Sequence, residues 1–94
     1  MTTNKYISLT NRAETLCNEY VECVQTIEEY TSGMLSGHTN PDEFARVITA
    51  ARQRRNNLYA QLALLESIAI DILSYREFAR YVRYVNVMLS PMTA

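Results

Sequence analysis

The chain is predicted to be all-α: an antiparallel helical hairpin of coiled-coil type with a third, C-terminal helical segment. Three observations carry that prediction. Leu9, Ala13, Leu16, Tyr20, Cys23, Ile27, Tyr30 and Met34 step alternately by four and three residues. After Ser36-Gly37-His38-Thr39-Asn40-Pro41 the same stepping resumes at Phe44, Ile48, Ala51, Arg55, Leu58, Leu62, Leu65, Ala69 and Ile72. A mean repeat of 3.5 residues keeps one seam of a helix facing a partner helix along its whole length. Finally, Gly33, Gly37, Pro41 and Pro91 are the only glycines and prolines, so nothing from Asp42 to Ser90 interrupts a helix and strand punctuation is missing.

Helix 1 is predicted over about residues 10–33. Asn11, with Glu14 three residues on, has the spacing of a capping box, and the polar stretch Met1 to Ile7 is expected to fray. A turn follows at 34–40, where Gly33 and Gly37 supply the backbone freedom of a helix exit. Helix 2 is predicted at about 41–73. Asn40 suits an N-cap, Pro41 the first helical position, and Asp42 and Glu43 favour the positive end of the helix dipole. Ser74-Tyr75-Arg76-Glu77 again has capping-box spacing, with Leu73 and Phe78 placed as a hydrophobic staple, so helix 3 is read at about 75–89, ended by Ser90-Pro91. The alternative is an uninterrupted helix 2 with Ser74 bonded back to its own turn. A strand at Tyr81 to Leu89 is a lesser one, because strict alternation fails at Arg83.

At 94 residues the chain is one domain, and a hairpin of that size has little interior beyond its seam, so partners are expected. The net charge of −1 disfavours a protein devoted to phosphate neutralisation. Charge is nonetheless divided: helix 1 carries Glu14, Glu19, Glu22, Glu28 and Glu29, whereas all seven arginines beyond residue 41 lie in helices 2 and 3. Antiparallel pairing with Ile48 facing Ile27 makes facing positions add to about 75 and sets Arg55, the one charged seam residue, between Glu19 and Glu22. Cys17 and Cys23 are six residues apart, about 240° around a helix, and so cannot bridge each other. Both read as small buried hydrophobes. Without an apolar leader segment at Met1 to Thr10, a reducing cytoplasm is the expected compartment, export without a cleaved signal remaining open.

Catalytic and metal-binding patterns are missing. His38 is the sole histidine and falls in the turn, so a metal site lacks ligands, and neither cysteine has an evident base nearby. No cofactor is expected. Arg52, Arg54 and Arg55, followed by a stripe of Arg76, Arg80 and Arg83 with Tyr75, Tyr81 and Tyr84 nearby, have the composition of a nucleic-acid surface. The glutamates of helix 1 are expected to satisfy those arginines instead, which leaves a small dimeric nucleic-acid-binding regulator as the rival reading.

The stretch Leu58 to Leu73 is the more pointed feature. Twelve of its sixteen residues are apolar, and Gln61, Glu66, Ser67 and Asp71 are spread around the helix rather than gathered on one side. Such a helix is buried on most faces. Glu66, Asp71 and the short length disfavour a transmembrane span. Helix 1 covers one side only, so the other is expected to meet helix 3, a second copy or another protein.

Gly37, then Asn40-Pro41-Asp42-Glu43-Phe44, then Leu65-Glu66-Ser67-Ile68-Ala69 stand in an order that resembles the small helical-hairpin "E" needle chaperones of type III secretion. Those have a glycine or proline turn, an acidic or amide residue with an aromatic opening helix 2, and a later run of the Leu-Glu-Ser-Ala-Ile kind. The resemblance covers about residues 10–73 and implies a client that is a secreted, polymerising helical subunit. From the residues themselves, the expectation is a non-enzymatic helical interaction module, a subunit or chaperone of a larger assembly. Its expected partner-binding residues are Leu58, Leu62, Leu65, Ile68 and Ile72, extended by Tyr75, Phe78, Val82 and Val85 on a helix 3 that projects from the hairpin.

Overall fold

The computed structural model describes residues 3–90 and folds them into α1 (Asn4–Leu35), α2 (Pro41–Ile72) and α3 (Tyr75–Leu89), a rod of 53 × 22 × 15 Å. Fraying at Met1 and Thr2 and the stop at Pro91 lie outside those residues. Among the described residues the segment Tyr81 to Leu89 is helical throughout, not a strand.

α1 begins six residues before the predicted start. Thr3 is extended and its hydroxyl oxygen accepts from the Tyr6 N–H at 3.2 Å, as an N-cap does. The Glu77 carboxylate of α3 in turn accepts from the Thr3 N–H at 3.1 Å and its hydroxyl at 2.8 Å. Asn11 is therefore an interior residue of α1: its local capping signal loses to a cap held by a partner 74 positions away.

The hairpin turn follows local chemistry closely. Gly37 takes φ +79°, the left-handed conformation that side chains resist, while the His38 N–H donates to the Gly33 carbonyl at 2.8 Å and the Gly37 N–H to the Met34 carbonyl at 3.2 Å. This is the Schellman exit. Gly33 serves differently, since the Thr39 side chain lies where a Cβ would stand. Asn40 then caps α2 through the Asp42 N–H at 2.8 Å, with Pro41 in the first helical position.

The break after α2 is present. Leu73 turns to extended backbone at ψ 153°, Ser74 becomes the N-cap of α3 with its hydroxyl oxygen accepting from the Glu77 N–H at 3.3 Å, and the Ser74 hydroxyl donates to the Glu77 carboxylate at 3.2 Å. An uninterrupted helix 2 is thereby ruled out.

α1 and α2 pack antiparallel, as the ladders require. Their register differs slightly from expectation: Arg54, not Arg55, pairs with Glu19, at 3.4 Å, so facing positions add to 73. Arg55 is half-buried and donates to the Asn56 side chain instead. Both members of the Arg54–Glu19 pair are exposed, and such pairs contribute little. It is the only ion pair among the described residues, so the remaining arginines lack the glutamate partners expected for them.

Helix 3 does not project. Thr3 meets Glu77 and the Tyr84 hydroxyl donates to Glu14 at 3.2 Å, so α3 lies folded back along the first half of α1 and runs in the same direction. It leans on α1 more than on α2. Tyr81, 2% exposed, plugs it into a core formed by Leu9, Ala13, Leu16 and Cys23 of α1 with Leu58, Leu65, Ala69 and Leu73. Burying one such ring is worth roughly 2–3 kcal/mol, which a projecting helix would forgo. The distal half of the hairpin, past Tyr20 and before Leu58, remains two helices wide.

Candidate functional site

A groove opens where α3 leans away from α2. Its walls are Tyr20 of α1, Tyr59 and Leu62 of α2, and Val82, Val85 and Leu89 of α3, enclosing about 380 Å³. Glu66 and Asn86 supply its polar groups. Each side chain is set by the helix spacing beneath it. Tyr59, Leu62 and Glu66 lie three and four apart on the flank of α2 that meets α3, and Val82, Val85 and Leu89 repeat that spacing on α3. Tyr59 remains 65% exposed, tilted 41° against Tyr20 with ring centroids 6.4 Å apart, so one aromatic wall of the groove stays open to solvent.

Below the groove, burial dominates the electrostatics. The Tyr81 phenol is pushed up to about 12, first by desolvation and then by Cys17 and Glu66. Burial also raises the Cys17 thiol, which holds this fully buried cysteine in its unreactive form. On the far side of α3, hydrogen bonds from Thr3 hold the Glu77 carboxyl below its usual range, and Tyr84 is raised by desolvation and its bond to Glu14. His38 is an exposed turn residue with Nδ1 3.3 Å from the Ser36 hydroxyl.

The nine expected partner-binding residues separate into four places. Leu58 and Leu65, at 4% and 5% exposure, are core, because each faces α1 across the seam; as a docking surface they are spent inside the molecule. Leu62, Val82 and Val85 line the groove. Phe78 stacks on Tyr81 at 6.5 Å and borders a smaller hollow with Ala63, Ser67 and Ile70. Ile68, Ile72 and Tyr75 are exposed outside the groove.

Tyr20, Tyr59, Glu66, Asn86 and Leu89 were not among the expected site residues, since a groove built from three helices has no signature along any one of them. By sequence Tyr81 stands with Tyr75 and Tyr84 among the tyrosines near the arginines. Its core position follows from the run Phe78, Tyr81, Val85, Met88, which steps by three and four as regularly as the ladder through Val82. No described helix is long and apolar enough to cross a membrane. No protein family, curated protein or solved structure matches the chain.

Proposed function

We propose that the chain is a non-enzymatic helical interaction module, a subunit or chaperone of a larger protein assembly, which takes a partner helix into the groove between α2 and α3. The single observation behind this reading is that groove: apolar on both walls and bounded by an exposed tyrosine. Residues 59–66 span about two helical turns, room for a partner's apolar side chains at i, i+3 or i+4, and i+7. Glu66 favours a basic residue beside that stripe. The finer form of the proposal is a needle-subunit chaperone of type III secretion, whose client is kept from premature polymerisation by having its own apolar stripe covered.

A photo-crosslinking residue at Tyr59 in the full chain tests this in extract from the source organism. The expected result is one defined protein adduct, lost with Val85→Glu and absent when the crosslinker replaces Glu28 on the distal hairpin. Adducts of equal yield at both positions would sink the reading. The rival rests on Arg76, Arg80 and Arg83, exposed along α3 without an ion pair among the described residues. Adducts to nucleic acid, with duplex binding that falls steeply as salt rises, would favour it.

A further inference from the structure

The groove occupies one side of the hairpin, and the opposite side carries a pattern of its own. On α1, Lys5, Ser8, Arg12, Thr15, Glu19 and Glu22 step by three and four along the flank away from α3. On α2 a matching ladder runs from Val47 through Asn57 to Ile68. The two ladders flank a single trough, whose distal walls are Glu19, Glu22 and Thr26 on one helix and Val47, Ala50 and Arg54 on the other. None of these residues borders the hollows beneath α3. Further along the same flank of α2, Leu64 is 64% exposed and Ile68 41%.

Both ladders are self-complementary when turned end for end. On α1 the cations come first and the carboxylates last, so a two-fold axis at Thr15 brings Arg12 to Glu19 of a second copy and Lys5 within a turn of its Glu22. Because Glu19 and Arg54 face each other across the hairpin, their positions adding to 73, that axis crosses α2 between Asn57 and Leu58. There it brings Val47 to Ile68, Ala50 to Leu64 and Arg54 to Gln61, with Asn57 beside its own counterpart. Small residues at one end of the α2 ladder thus receive large ones from the other end. The charge order of α1 and the size order of α2 select the same axis independently.

We propose that a second copy of this chain docks antiparallel on this face, giving an isologous four-helix bundle of two α1 and two α2 helices with each α3 on the outside. The face is two helices wide and about 33 Å long over residues 5–26, on the order of 650 Å² per copy, close to the roughly 800 Å² that a standard interface buries on each partner. The polar centre, Thr15 and Asn57 with Gln61, fixes the register, as a polar layer does in coiled coils. The groove between α2 and α3 stays open in the dimer, so this proposal stands apart from the partner-helix reading and can fail without it.

Light scattering of the full chain tests it, with helicity monitored by circular dichroism. The expected mass is twice 10.8 kDa. Leu64→Asp, at an exposed position, is expected to return a folded monomer. Arg12→Glu and Glu19→Arg each weaken the dimer by about tenfold, and mixing these two variants restores a heterodimer in which both contacts between positions 12 and 19 again pair opposite charges. Thr15→Cys is expected to form a disulfide-linked dimer on oxidation, and Ala79→Cys on α3 is not. A monomer at high micromolar concentration, or a dimer insensitive to Leu64→Asp and lost with Val85→Glu, would overturn the proposal.

Discussion

Tyr81 decides more than any other single side chain. Its ring is the part of α3 that enters the core, and its phenol must remain neutral to stay there. Since the folded value is raised to about 12 from an ordinary 10, the unfolded chain releases this proton first as pH rises. The stabilisation is complete below pH 10 and is lost as pH climbs through about 12. Urea midpoints measured from pH 9 to 12 should therefore fall, and Tyr81→Phe should flatten the decline, Tyr84 and Cys17 accounting for what remains since both shift the same way. An unchanged decline in Tyr81→Phe would place the sensitive group elsewhere. Cys17, fully buried, lies close enough to the same ring to add to the shift.

At the scale of elements, the contrast between α1 and the other two helices explains what could be read in advance. Asn40-Pro41 and Ser74 with Glu77 announce their helices because capping is settled within four residues. The start of α1 depends on Glu77, which is distant in sequence, and so the local pair Asn11 and Glu14 misled. For α3 the periodicity established a strongly one-sided helix but not what it lies on. Fifteen residues are too few to hold a helix unaided in water, so α3 is helical because it is docked. Tyr81→Glu, which buries a charge without a partner, should undock it and melt it. Circular dichroism should then lose about a fifth of its helical signal, the share of α3 in the three helices, with the hairpin persisting. Complete loss of helix would mean that hairpin and α3 form one cooperative unit.

For the whole molecule, the hairpin was legible because its two ladders are collinear with the chain, whereas the groove needs Tyr20, Tyr59 and Val85 from three helices at once. The unequal attachments of those helices set an order of stability. α1 and α2 share a long seam, while α3 is held by Tyr81 and its neighbours and three exposed hydrogen bonds to α1 and its N-cap. Amide hydrogen exchange should thus place α3 in a separate, less protected set than the central turns of α1 and α2. Equal protection across all three helices would contradict that order. The parallel lie of α3 on α1 also has a consequence for the growing polypeptide. Contacts that join positions 70 and 74 apart cannot form until the hairpin has been made. During synthesis the flank of α2 from Tyr59 to Ile70 therefore stands bare, open to a holdase, a ribosome surface or another nascent chain. α3, translated after α1 and α2, both shields that flank and completes the groove, so the groove takes shape at the moment the bare flank of α2 is covered.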